Sequence, residues 1–185
     1  VDLDEGEIAT IAGAGCAVAH CPIANARLGH GVAPYLEMRA AGVTVGLGTD
    51  SVGSNNRLDL LEEARIASVL HRGRVRRPDV LPAADLLRLC TIDGALALGL
   101  ADRVGTLEPG KDADLCAVSL DGPHTAPAPD PIATLFHAAR GSDVVFTAVR
   151  GRVLYDGGRV RGIDANAARR GVEGAAERIL EFRQP

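Results

Sequence analysis

The sequence predicts an α/β fold, and three observations carry that prediction. From residue 4 to about residue 71, helical and strand patterns alternate as helix, strand, helix, strand, helix, which favours parallel strands joined by helical crossovers. Val43, Val45 and Leu47 alternate with smaller or more polar residues, the period-2 signature of a strand, and an acidic residue, Asp50, stands just beyond its C-terminal end. From Val104 onward the pattern changes to short β segments with tight turns, closed by one long helix. At 185 residues and 46% hydrophobic content the chain is long enough to bury a core.

Each element has a local reason. Asp4-Glu5-Gly6-Glu7 has the spacing of a capping box, and Ile8, Ile11 and Ala12 give the first helix one apolar face until Gly13 and Gly15 end it. Cys16 to His20 reads as a short buried strand. Pro34 opens a helix that runs to Ala41, and Gly42 stops it before the Val43 strand. Leu58, Leu61, Ala64 and Arg65 then fall at helical spacing. The cap of that helix is assigned to Asn55 or Asn56, with Asp59 reaching back from the first turn. Leu81 to Leu98 forms two short helices, the first opened by Pro82, the second capped by Asp93 and stopped by Gly99. Glu108-Pro109-Gly110-Lys111 fits a type II turn before a strand from Ala113 to Val118. A Pro-rich loop, a helix from Ile132 to Ala139, a hairpin around Arg150-Gly151 and a turn at Asp156-Gly157-Gly158 follow. Asp164 caps the last helix, whose stripe of Val172, Ala175, Ala176, Ile179 and Leu180 is core or docking surface.

Composition narrows the function classes. A formal charge of -4 with 3% aromatic residues and no Trp gives neither a basic footprint nor stacking platforms, so nucleic acid is not an expected partner. Arg72, Arg74, Arg76 and Arg77 form the densest positive patch and read as a solvated loop after a helix. No apolar run reaches the length of a membrane span. Cys16, Cys21, Cys90 and Cys116 lack C-x-x-C spacing and lie in apolar segments, so buried, reduced thiols of a cytoplasmic protein are expected. His71, His124 and His137 share no ligand spacing, and the glycines around Gly46, Gly48 and Gly53 lack that of a phosphate loop.

Asp50 is the candidate functional residue. At the C-terminal edge of a parallel sheet an acidic side chain costs desolvation energy unless a metal, a proton or a cation compensates it. The alternative is a helix cap. Three motifs in order then resemble one family. Gly48-Thr49-Asp50-Ser51 with Ser54-Asn55-Asn56 looks like the strand-8 motif of the amidohydrolase superfamily, in the branch of S-adenosylhomocysteine and methylthioadenosine deaminases and triazine chlorohydrolases. His20-Cys21-Pro22-Ile23-Ala24-Asn25 is similar to its strand-7 segment, and Gly105 to Leu115 to its return into a small β domain.

That resemblance implies the C-terminal portion of a (β/α)8 TIM barrel in residues 1–101, a small β-sandwich-type domain in 102–163 and a C-terminal helix in 164–185. The family's barrel needs about 250 residues. This chain has no initiator Met and opens almost directly into a helix, so it is expected to be the C-terminal part of a longer protein. The resemblance further implies one divalent metal, Zn2+ or Fe2+, held by a His-x-His pair, a third His and Asp50. Asp50 would be both ligand and acceptor of the water proton. His20 is a candidate hydrogen-bond partner at the same rim, or a residue that satisfies backbone groups at a strand end. His30 is a candidate to face the substrate, Asn25 to order its loop by side-chain hydrogen bonds, and Asn55 to act as a cap or brace. The implied activity is hydrolytic deamination of a 6-amino purine nucleoside, with a small molecule as partner and a homo-oligomer as an open state. The alternatives are another ring aminohydrolase or chlorohydrolase acting on guanine, 8-oxoguanine or a triazine, and a non-catalytic fragment lacking the His ligands.

Overall fold

A computed structural model describes residues 1–182. Helix α1 (Glu5–Gly13) starts where the capping box requires: the Glu7 N–H donates to the Asp4 side chain and the Asp4 N–H to Glu7. Strand β1 (Ala17–His20) follows, then a helix that periodicity did not reveal, α2 (Pro22–Arg27), and then α3 (Tyr35–Ala40). Strand β2 (Thr44–Leu47) lies parallel to β1, pairing His20 with Leu47, and the Gly48 N–H extends the ladder to the His20 carbonyl at 2.8 Å. Both strands therefore end at one rim. The alternating first part of the chain is parallel α/β structure, as its pattern predicts.

Beyond β2 a short helix, α4 (Val52–Asn55), precedes the long helix α5 (Leu60–Val75). Asp59 itself is the N-cap of α5, accepting from the Leu61 and Glu62 N–H groups, whereas Asn56 ends α4 in a left-handed conformation. Helices α6 (Ala83–Cys90) and α7 (Ile92–Ala97) follow. Thr91 and not Asp93 holds the N-cap position of the second, without a side-chain cap bond, while Asp93 lies inside the helix and pairs with Arg88 and Arg39. The core joins Tyr35, Met38, Val43, Val45, Leu86 and Leu89 to Phe136 of α8 (Pro131–His137). Arg65 locks α8 to α5 by donating to the Phe136 and Ala139 carbonyls.

The remaining strands form an antiparallel sheet in the order β3 (Leu115–Val118), β4 (Val144–Val149), β5 (Arg152–Asp156), β6 (Arg159–Val160). Arg150 and Gly151 both adopt positive φ in the β4–β5 hairpin, as a tight primed turn demands. Helix α9 (Ala165–Phe182), capped by Asp164, buries no residue, so its apolar stripe is no part of this chain's core. The four cysteines are free, but they are not the buried thiols expected: Cys16 and Cys116 are exposed, and Cys21 and Cys90 are half-buried. Cys116 lies on β3, the edge strand of that sheet among the described residues, where Leu115, Cys116 and Ala117 are all exposed. Among the described residues no helix is long and apolar enough to cross a membrane.

Candidate active site

Asp50 stands three residues beyond β2 with its side chain in solvent and φ at 58°, in the left-handed region. Both carboxylate oxygens are held. Oδ1 accepts from the Ser51 N–H at 2.7 Å and Oδ2 from the Ser54 hydroxyl at 2.7 Å. The Ser54 bond, with the Ser51 bond behind it, holds the carboxyl below the usual carboxylate range, so it is ionised at neutral pH. A carboxylate offers about four lone-pair sites, and two bonds leave it acceptor capacity toward the rim. Cys21, at the head of α2, reaches the same place: a Cβ on Gly48 would stand 3.1 Å from its sulfur.

Beneath Asp50 lies a buried polar brace. Asn55, 3% exposed, donates from one amide nitrogen to the Thr49 carbonyl at 2.6 Å and to the Glu63 carboxylate. Glu63, 0% exposed, also accepts from the Ile23 N–H at 3.1 Å. Burial pushes its carboxyl up from the ordinary value, and the Ile23 and Asn55 bonds act against that push. Arg27 adds a bond to the Asn55 carbonyl at 3.0 Å. Asn55 is thus a brace and not the cap of α5. Glu63 escaped the sequence reading although a signal existed: it shares the helical stripe of the buried residues Ala64, Ala67 and His71.

The other candidates fare differently. His20 is buried, and among the described residues its ring satisfies no backbone group; Nε2 meets Nε2 of His71 at 3.2 Å, and neither Nδ1 atom has a partner there. The rings of His20 and Tyr35 stack at 5.9 Å, and Tyr35 accepts a bond from Arg39. Burial lowers both histidines to about 4, helped by His71 at His20 and by Arg74 at His71, so both are neutral at physiological pH. The Asn25 side chain makes no hydrogen bond among the described residues. Its backbone carbonyl ties the loop instead, accepting from the His30 N–H at 2.9 Å. His30 is exposed on that loop, and no hydrogen bond joins its ring to the brace.

Among the described residues no group of three His, Cys, Asp or Glu side chains could hold a metal ion. Asp50 fits a metal as one ligand: it is ionised, exposed and rigidly aimed. The remaining ligands would have to come from outside the set assembled here.

A carboxylate fixed at the C-terminal rim of parallel strands, over a buried brace, is the arrangement of an α/β protein whose site lies in the segments beyond its strands. The chain belongs to the Amidohydrolase family, whose match spans residues 2–154. It is 48% identical over 165 residues to 5-methylthioadenosine/S-adenosylhomocysteine deaminase of Moorella thermoacetica, covering 89% of this chain and 39% of that protein. An adenosine deaminase structure from Xanthomonas campestris with bound zinc superposes with a TM-score of 0.93 at 34% identity, over 97% of this chain and 41% of that one. Atrazine chlorohydrolase from Arthrobacter aurescens, complexed with zinc, gives 0.86 at 32% identity, over 94% and 39%. The chain thus spans about two fifths of the length of each.

Proposed function

We propose that this sequence forms part of a zinc-dependent aminohydrolase that deaminates a 6-amino purine nucleoside of the methylthioadenosine or S-adenosylhomocysteine type and releases ammonia. The observation that carries the reading is Asp50, an ionised carboxylate whose two oxygens are separately fixed by Ser51 and Ser54 at the strand rim. The named relatives support it, since the Moorella deaminase acts on this substrate class by its name and the Xanthomonas deaminase holds zinc.

In this proposal Asp50 offers one oxygen to the metal and keeps the other to accept a proton. Zinc, when bound, supplies a Lewis acid that brings the pKa of water toward neutrality. Water would add to the amidine carbon of the purine, forming a C–O bond as the ring C=N π pair moves onto the ring nitrogen. Asp50 would take one water proton and pass it to the exocyclic nitrogen; the ring pair then returns, the C–N bond breaks, ammonia leaves and the 6-hydroxy (6-oxo) purine remains. The depressed pKa of Asp50 keeps it unprotonated and ready for the first transfer.

The same reading assigns β1 and β2 to the last strands of a barrel, with residues 1–101 as barrel, 102–163 as a small β-sandwich-type domain and 164–185 as a terminal helix, of which residues 183–185 lie outside the described residues. Four free cysteines, two of them exposed, support a reducing, cytoplasmic setting. The test is ammonia release by the native protein carrying this sequence, on methylthioadenosine, S-adenosylhomocysteine, adenosine, guanine and a chlorotriazine, before and after metal removal. Zinc-dependent turnover of the adenosine derivatives supports the reading. Turnover of guanine or the triazine alone, or none with zinc bound, overturns it.

A further inference from the structure

We infer that Glu63 is a positioning residue for Asp50, acting through Asn55 and the Thr49 peptide; the inference rests on the reading of Asp50 as metal ligand and proton acceptor. Glu63 lies on the packed face of α5 at 0% exposure. A buried carboxylate is costly unless its lone pairs are satisfied, and an apolar side chain would fill the site with less desolvation. Its oxygens go to the two segments that follow the parallel strands. One accepts from Ile23, in the first turn of α2 after β1, at 3.1 Å, and the other from Asn55, the last residue of α4 after β2.

The chemistry of the pair sets the orientation of the amide. A carboxylate only accepts, so Asn55 must turn its nitrogen toward Glu63. The second hydrogen of that nitrogen then points to the Thr49 carbonyl at 2.6 Å, one peptide before Asp50. Asp50 in turn holds a left-handed backbone, φ 58°, which a non-glycine residue keeps only when its surroundings fix it. Ser54, next to Asn55 in the chain, completes the circuit by donating to Asp50 Oδ2. The geometry makes α5 the rigid base from which the rim carboxylate is aimed.

Glu63→Gln is the informative change because it conserves shape. Gln offers one acceptor oxygen where two N–H donors wait, and its own NH2 group permits Asn55 to flip and set an oxygen against the Thr49 carbonyl. The experiment compares Glu63→Gln, Asp50→Asn and the core control Leu89→Ala in the native protein carrying this sequence. It reads hydrogen exchange over residues 48–57, zinc affinity by competition with a chromophoric chelator, and steady-state kinetics. For Glu63→Gln, exchange should quicken at least about tenfold and zinc affinity should fall about 10- to 100-fold, the range for partners behind metal ligands. The kcat should fall with KM changed less than about threefold. Leu89→Ala should lose thermal stability with none of these changes. If Glu63→Gln only loses thermal stability, with wild-type exchange at 48–57 and wild-type zinc affinity, the positioning role is overturned. If Asp50→Asn binds zinc like the wild type, the ligand reading fails instead, and the exchange result alone decides the brace.

Discussion

His20 and His71, fifty-one positions apart in sequence, face one another inside the core with their Nε2 atoms 3.2 Å apart. One ring must donate and the other accept, so the pair is stable only while at least one nitrogen is unprotonated. Burial, with the pair's own repulsion at His20 and with Arg74 opposed by Glu37 at His71, lowers both to about 4 from an ordinary 6.5. The unfolded chain therefore binds protons between pH 6.5 and 4 that the folded chain refuses. Stability is complete above pH 6.5 and falls as the pH drops toward 4, on the order of 3 kcal/mol for a histidine shifted this far. Thermal melts across pH 4 to 8 should show this slope, and His71→Phe should reduce it by the share of His71 while leaving that of the buried His20.

Asp50→Asn is expected to leave the fold intact and remove the chemistry. Asn keeps an acceptor for the Ser51 N–H and tolerates left-handed backbone well, so the melting temperature should hold. Deamination by the native protein should fall at least about a hundredfold, the lower end for loss of a general base. A variant with most of its turnover would take Asp50 out of the reaction.

Asp59 joins two distant pieces of chain. It caps α5 and accepts from the Gly141 N–H at 3.0 Å, and a Cβ at Gly141 would approach its carboxylate to 2.8 Å. Asp59→Ala should cost about 1 to 2 kcal/mol in urea denaturation, the range for a lost N-cap. Gly141→Ala should also destabilise, by displacing the same carboxylate. Wild-type midpoints for both would show that the tie contributes nothing.

Gly46, in the middle of β2, lies against α7, where an added Cβ would fall 2.9 Å from the Gly94 Cα. Backbone cannot yield as a flexible side chain does. Gly46→Ala should lose about 1 to 3 kcal/mol, typical of overpacking, as measured by chemical denaturation with an unchanged m value.

What the sequence made legible was local. The capping box at Asp4 and Glu7, the parallel alternation around Val43 to Leu47 and the Arg150-Gly151 hairpin each depend on neighbours a few residues away, and each is present. The rim position of Asp50 was legible for the same reason. Glu63 and His71 were missed as partners because their contacts lie 40 and 51 residues away at Ile23 and His20, and no period encodes that distance. The burial of Cys16 and Cys116 was misread because apolar neighbours along the chain do not guarantee a layer above it.

The left-handed backbone at Asp50 has an evolutionary corollary. Two kinds of conservatism diverge at this codon. Glutamate would preserve the charge yet tolerate the dihedral poorly, at about 1 to 2 kcal/mol, whereas asparagine and glycine would preserve the dihedral and lose the charge. Among single changes at this position, aspartate thus unites an anion with that turn of the chain at the least strain, and glutamate is the substitute that keeps the charge at a cost in backbone energy.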